Sequence, residues 1–587
     1  MASHAVCRPP WDLLVMAWAA AGAYPVPAAP QTPPPPPITT AGATAPTESA
    51  APSLLAAPSG IDLDVTLIER LPRYAYDAAK NNPAAGDVVT FNGHIRCWGT
   101  GSVASATYQW SLDGLSVASG TLTNLNPGDE RVVSWSWVWV TGAHRVRLTV
   151  DPGGQVAESS EANNALEDRT DAVIVGFWVE QSVYNYFALY QKDLGVGSDS
   201  WEDWAQRQMG YWNQFSAQAI YSTTPLGVLD RVRIDKLVIV PDGALPLHGG
   251  LPTNNPDLWD KTVDMMWGFP ASLLGGGMYA NHTSATMDNP FYYEGSLLHE
   301  LGHARYLIDT YGFDVHNTSS YHQVQILEDG VPVGGSSYMP FLAFGEVLYY
   351  NKNGKMMSGG YNQGWSEYDA GALNRIAGQR AVCGNYNAPC NIGVFLNDLP
   401  ARNHFRFVDD DGTPRRGANV RVYRPAAGPG WYGKTIDDRF DLEFTSDADG
   451  RVLMPRNPFA DGPIQHTYGI ANGIMVLRVQ HAGRIWYRFQ EVTDFNIQYW
   501  RGNTQDAYYT LVLPGPNVIP GDFDLNGKVN VYDFNHFVDC RSGADVAIVD
   551  PGCTDADLDF DADADQSDFG IFQRCLSGDQ PADPACQ

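Results

Sequence analysis

The sequence predicts a multidomain chain in which two β-sandwiches flank a mixed α/β (α+β) domain and a small α-helical domain closes the C-terminus. Three observations predict it: two stretches of short strands separated by turn dipeptides, helical periodicity in the stretch between them, and an in-register duplication of acidic residues at the end. A chain of 587 residues holds about four domains, each long enough to bury its own core. The net charge of −29 argues against nucleic acid and anionic membranes as partners.

The N-terminus is expected to direct export. Arg8 and the apolar residues 13–21 read as a signal peptide over residues 1–24, too short to span a bilayer, and no other segment is apolar enough to do so. Residues 25–60, with Pro33 to Pro37 in succession, read as an extended proline- and alanine-rich linker. Six of the eight cysteines form close sequential pairs, Cys383/Cys390, Cys540/Cys553 and Cys575/Cys586, which suggests disulfides in an oxidising compartment. Cys97 has no evident partner. The expected location is secreted or cell-surface associated.

Residues 61–171 alternate in short strands, among them 106–112, 132–140 and 145–150, with turns at Asp113-Gly114, Pro127-Gly128 and Pro152-Gly153. The order Trp110-Ser-Leu-Asp-Gly, Asn126-Pro-Gly-Asp, the Trp135/Trp137/Trp139 strand, Val150-Asp-Pro and Glu158-Ser-Ser-Glu-Ala-Asn-Asn164 resembles the CARDB type of immunoglobulin-like module. That resemblance implies a spacer or binding module and no chemistry. Residues 401–515 return to strands, with turns at Asp409 to Gly412 and Asp447 to Gly450. Their Gly-Ala-Asn-Val-Arg-Val-Tyr and Asp-Ala-Asp-Gly-Arg-Val stretches resemble the carboxypeptidase-regulatory type of β-sandwich.

Between them, residues 172–400 carry the chemistry. Residues 201–220 are helical in pattern behind the cap Asp199-Ser200, residues 233–240 form an apolar strand, and residues 277–280 are a candidate edge strand. Then comes Leu297-Leu-His-Glu-Leu-Gly-His-Ala-Arg-Tyr-Leu-Ile-Asp309. Read as a helix capped at Asn289-Pro290 and stopped at Gly312, it puts His299 and His303 at i and i+4 on one face, where two imidazoles can grip one Zn2+. Glu300 stands beside the first ligand as the general base. This is the H-E-x-x-H pattern of zinc metallopeptidases, and with Asp309 six residues after His303 it resembles the metzincins, a minority of which use aspartate as third ligand.

The resemblance implies Asp309 as the third zinc ligand and Met357, in Met356-Met357-Ser-Gly-Gly, as the methionine beneath the metal, with Met339 the alternative. Tyr361 is the candidate oxyanion stabiliser. Metzincins carry glycine where this chain has Tyr306. In an unbroken helix Asp309 would point roughly 80° from His299 and 120° from His303. Either the helix breaks early without glycine, or His316, Glu346 or Glu367 completes the site; the ordinary reading of Asp309 is an i,i+4 ion pair with Arg305. Residues 365–377 read as the closing helix of the domain.

Residues 517–587 contain a repeat at an offset of 35 residues. Asp522, Asp524, Asn526, Asn530 and Asp533 recur as Asp557, Asp559, Asp561, Asp565 and Asp568, with Lys528 and Asp563 at position 7 of what read as two EF-hand-type loops for Ca2+. Each loop is followed by a short amphipathic helix. The duplicated loop–helix units resemble a dockerin, which implies a cohesin-like or cell-surface partner. Gly527 fills the turn position of the first loop and Ala562 that of the second.

The expectation is a secreted zinc metalloendopeptidase of extracellular proteins, tethered through its tail. The rival is a non-catalytic cell-surface adhesion or scaffold protein with a relic peptidase domain. An intact Glu300 between two intact ligands separates them.

Overall fold

The computed structural model describes residues 60–73, 83–190, 200–245, 247–248, 251–252, 260–271, 295–316, 322–324, 327–328, 331–332, 347–349, 351–358, 364–378, 393–425, 435–464, 466–467, 470–471, 473–482, 484–513, 519–523, 528–559, 563–578, 580–582 and 586. The signal peptide, most of the linker, the 277–280 strand and the Cys383/Cys390 pair lie outside the described residues.

The first module is a β-sandwich. Its strands are β1 (Ile61–Leu71), β2 (Val88–Gly99), β3 (Val103–Leu112), β4 (Leu115–Leu125), β5 (Glu130–Val138), β6 (Arg145–Val150) and β7 (Ala165–Arg169). They form one sheet in the order β1-β2-β5 and another in the order β4-β3-β6-β7. The alternation in β2 puts Val89, Phe91, Ile95 and Cys97 inside, where they meet Trp110, Leu148 and Val150 from the opposite sheet. Cys97 is a buried free thiol.

β1 is covered on both faces, because Leu67 packs with the next unit's core while Leu63, Val65 and Ile68 fill its own. Polar contacts hold the same junction: Arg96 pairs with Glu202 at 3.0 Å, and Gln206 donates to the Thr66 carbonyl at 3.0 Å.

The middle unit is built on three parallel strands, β8 (Val173–Glu180), β9 (Val232–Val240) and β10 (Met265–Phe269), with β8 central. Both faces of β8 are buried, as its continuous apolar run requires. Helix α1 (Gln181–Tyr190) follows β8. Helix α2 (Trp201–Gln218) starts where Ser200 caps the Asp203 amide and presents Trp201, Trp204, Met209, Trp212 and Phe215 to the sheet. Helix α3 (Gly295–Ala304) lies in the same core through Leu297, Leu298 and Leu301. It ends well before Gly312, the stop expected from sequence, and Gly312 belongs instead to a 3-10 turn at Thr310–Phe313. Short strands β11 (Val315–His316), β12 (His322–Val324) and β13 (Val347–Tyr349) follow, then a 3-10 turn at Met356–Ser358 and helix α4 (Glu367–Arg375), whose capping box joins Ser366 and Asp369.

The second sandwich consists of β14 (Arg402–Val408), β15 (Asn419–Tyr423), β16 (Thr435–Ile436), β17 (Leu442–Thr445), β18 (Arg451–Met454), β19 (Ile474–His481), β20 (Arg484–Glu491) and β21 (Asp506–Val512), with helix α5 (Val492–Trp500) between the last two. Two sheets run β18-β14-β21 and β17-β15-β19-β20, while β16 instead joins the middle unit's sheet in the order β13-β11-β12-β16. The expected boundary at residue 400 therefore falls between segments that share a sheet. They also share a core, in which Ile308, Phe313, Val315 and Tyr368 pack with Phe405, Val420, Val476 and Phe495.

The tail holds helices α6 (Val531–Cys540) and α7 (Gln566–Cys575) around a core of its own residues. Disulfides Cys540–Cys553 and Cys575–Cys586 are both formed. Among the described residues strands outnumber helices, and no described helix is long and apolar enough to cross a membrane.

Candidate metal centre

The centre is made by the way α3 ends. Tyr306 adopts the left-handed conformation at φ +68°, the amide of Tyr306 donates to the His303 carbonyl at 2.9 Å, and that of Leu307 reaches back to the Gly302 carbonyl at 3.2 Å. These two bonds with a left-handed residue between them are the Schellman termination of a helix, filled here by tyrosine in place of the usual glycine. The chain turns sharply, and Asp309 swings back under the helix. Its Oδ1 lies 2.9 Å from His299 Nε2 and 3.2 Å from His303 Nε2. The alternative ion pair is absent, since Arg305 instead binds Asp230 at 2.6 Å and the Ile376 carbonyl.

Both imidazoles are oriented from behind. His299 Nδ1 donates to the Met356 carbonyl at 2.9 Å and His303 Nδ1 to the Leu307 carbonyl at 2.8 Å, which leaves each Nε2 facing Asp309. The rings stand nearly perpendicular with centroids 5.0 Å apart, and Tyr311 stacks on His299. Met357 is fully buried against α3 and leaves no room for a side chain at Gly302, where an added Cβ would stand 2.7 Å from its Sδ. Glu300 is half-buried and near enough for its charge to favour protonation of both histidines.

Burial pushes the Asp309 carboxyl up, yet the two imidazoles outweigh it and hold it well below the usual carboxylate range. Burial likewise opposes charge on His303, and Asp309 outweighs it, raising the imidazole to about 9; His299 is raised in the same way. The donor set fits zinc. Two imidazole Nε2 atoms and one carboxylate oxygen lie within 4.8 Å of one another, with Asp309 Oδ1 at 2.9 and 3.2 Å from the nitrogens, near the ~3.3 Å edge of a tetrahedral zinc shell. The second oxygen of Asp309 is buried and has no hydrogen-bond partner among the described residues.

Of the rival ligands, Glu367 is engaged elsewhere, accepting from Ser222 and Thr223 and pairing with Arg501 at 2.9 Å. The side chain of His316, and Glu346, Met339 and Tyr361 entire, lie outside the described residues. Sequence reading missed the orienting carbonyls of Met356 and Leu307, because a backbone acceptor leaves no residue-type signal. It also missed Tyr311, whose ring faces His299.

In the tail, Asn530 caps α6 and Asp565 caps α7, each in a capping box with the residue three positions on, Asp533 or Asp568. Asp533 accepts from the Phe523 and Asn530 amides, and Asp568 from those of Leu558, Asp559 and Asp565. The repeat is also reciprocal: the Ser577 amide binds the Val529 carbonyl at 2.9 Å, and the Ser542 amide binds the Ala564 carbonyl at 3.1 Å. In the second loop Asp557, Asp559 and Asp568 form one group of facing carboxylates, and Asp563, Asp565 and Asp568 another. Asp522 is buried, Lys528 is half-buried, and Asp524, Asn526, Asp561 and Ala562 lie outside the described residues.

A family model described as CARDB matches residues 74–168, and the first sandwich is a CARDB domain. Similar solved structures include the CARDB domain of a Pyrococcus furiosus protein in complex with di-metal ions, 22% identical, covering 19% of this chain and 92% of that one at a TM-score of 0.16. A domain assigned to a cell surface protein of Methanosarcina acetivorans is 24% identical, covering 18% of this chain and 88% of that one at 0.15. A Geobacter metallireducens protein is 18% identical, covering 17% and 87% at 0.14. No curated protein matches the chain.

Proposed function

We propose that the chain is an extracellular zinc metalloendopeptidase of metzincin type, displayed on a CARDB domain and tethered through a calcium-folded, dockerin-like tail to a cohesin-like or cell-surface partner. The observation that carries this reading is the turn at Tyr306, which sets Asp309 Oδ1 at 2.9 and 3.2 Å from the two histidine Nε2 atoms. His299, His303 and Asp309 would hold the metal. Zinc supplies Lewis-acid polarisation of a peptide carbonyl and acidifies water at the site. Glu300, one residue from the first ligand, takes the proton of the attacking water on its carboxylate and returns it to the leaving amine. The Met356 and Leu307 carbonyls keep both imidazoles in the tautomer that presents Nε2.

The test is metal content and hydrolysis together. Purified protein is expected to carry about one zinc per chain. Glu300→Ala should keep the metal and lose hydrolysis of an unfolded protein substrate by at least about 100-fold, while Asp309→Ala should lose the metal. A zinc-free chain would favour the scaffold reading, and full activity in Glu300→Ala would overturn the role given to Glu300. For the tail, calcium titration should raise the helical circular dichroism of residues 517–587, and indifference to calcium removes the loop assignment.

A further inference from the structure

We propose that the second sandwich is a working part of the metal centre, and that Glu491 is the positioning residue through which it holds the first zinc ligand. The inference rests on the zinc reading of His299, His303 and Asp309. Its starting point is the Met356 carbonyl, which accepts from His299 Nδ1 and so fixes which way the ring faces. That carbonyl belongs to the segment from β13 to the 3-10 turn at Met356–Ser358, and the segment is gripped from across the domain boundary.

Glu491 ends β20 and occupies the N-cap position of α5, where a short oxygen-bearing side chain would ordinarily cap the helix. It makes no such cap. The side chain is fully buried and turned toward the middle unit, where one oxygen accepts from the Tyr349 hydroxyl and the Lys352 amide, both at 2.7 Å. The other accepts from Asn353 Nδ2 at 3.1 Å and from the Thr493 hydroxyl at 2.6 Å. Three of these four donors lie in residues 349–353. Tyr349 adds a ring stack on Phe489 of β20, with centroids 5.1 Å apart.

The next residues pass the constraint on. Asn351 donates from its backbone and its side chain to Asp314 at 2.8 and 2.9 Å, and its amide also meets Ser358 Oγ at 3.0 Å. Asp314 directly follows the 3-10 turn that begins after Asp309, so one short segment ties the Met356 carbonyl to the loop of the third ligand. Phe313 of that turn sits against Gly473 so closely that a Cβ there would stand 2.9 Å from its ring. A buried carboxylate with four donors is costly to lose, because each donor is then stranded. The arrangement makes Glu491 a latch, one step behind the group that orients His299.

The experiment uses the full chain, with Glu491→Ala, Glu491→Gln and Tyr349→Phe, the last retaining the ring stack in case the first fails to fold. Zinc affinity is read by competition with a chromogenic chelator, and amide exchange over residues 351–358 is read in the metal-free protein. Loss of a group that supports a metal ligand typically costs about 10- to 100-fold in affinity. Acting one step further out, Glu491→Ala is expected to weaken zinc by about 10-fold, Tyr349→Phe by about 3-fold, and Glu491→Gln by less than Glu491→Ala. Exchange at the Lys352 amide and through Ser358 should speed up in the same order. Asp494→Asn, which removes the Lys352 ion pair and alters the Gln490 hydrogen bond but touches none of the four donors to Glu491, should change neither. Unchanged affinity and unchanged exchange in Glu491→Ala would overturn the latch while leaving the zinc reading intact. A wild-type chain that binds no zinc, yet loses exchange protection in Glu491→Ala, would keep the latch and overturn the zinc reading.

Discussion

Tyr306 decides the site. Its left-handed backbone costs about 1 kcal/mol relative to glycine, and the two bonds of the helix termination together with the Gly393 amide on the Tyr306 carbonyl at 3.0 Å offset that cost. Tyr306→Gly is therefore expected to keep zinc affinity within about 3-fold, whereas Tyr306→Val, whose branched Cβ resists positive φ, should weaken zinc by more than 10-fold. Chelator competition on the two variants checks this; equal affinity in Tyr306→Val would mean that the turn does not depend on residue 306. At this scale the sequence was legible in part. The spacing of His299, His303 and Asp309 marked the three side chains that the structure brings together, but the rule that asks for glycine at the turn pointed away from that grouping. What the rule omits is that a turn is paid for by its hydrogen bonds as well as by its side chain.

The helix that carries His299 and His303 is held by a near contact rather than by its own propensity. Gly302 sits in the last turn of α3, where replacing glycine by alanine would ordinarily stabilise by up to about 1 kcal/mol. Here the added methyl would meet Met357 Sδ at 2.7 Å and Cε at 3.3 Å, with Leu307 Cδ1 at 3.4 Å, all in a core with no exposed surface. Overpacking of this kind typically costs about 1–3 kcal/mol, so it exceeds the propensity gain and Gly302→Ala should lower stability and zinc affinity together. The double variant Gly302→Ala/Met357→Ala should recover part of the Gly302→Ala loss, a coupling of about 1 kcal/mol in denaturant melts. Additive losses would mean that Met357 does not press on α3. The elements themselves were mostly readable: α2 behind Ser200, β9, β14, β15 and the paired tail helices follow the periodicities and caps of their residues. The length of α3 was not, because its apolar period runs on through Leu307 and Ile308 after the helix has stopped.

Across the whole molecule, the sequence pattern marks which faces are apolar without saying what covers them. Ile308, Phe313, Val315 and Tyr368 fall within the 172–400 stretch, yet they are buried in a core shared with the second sandwich. Trp500 of α5 packs so closely on α4 that a Cβ at Gly371 would stand 2.5 Å from it, and β12 pairs with β16 across about 110 residues of chain. Uncovering four such side chains costs about 1.5–3 kcal/mol each, a total comparable with the roughly 5–15 kcal/mol that stabilises a whole domain. The tail is the opposite case, since its apolar core draws only on residues 519–586. Two truncations separate these cases. A chain ending at residue 513 should remain soluble and bind zinc within about 3-fold of the full chain, whereas one ending at residue 400, with every proposed zinc ligand still present, should neither melt cooperatively nor hold the metal. If the shorter chain binds zinc as tightly as the longer one, the shared core contributes nothing to the centre, and residues 401–513 are only an appended module.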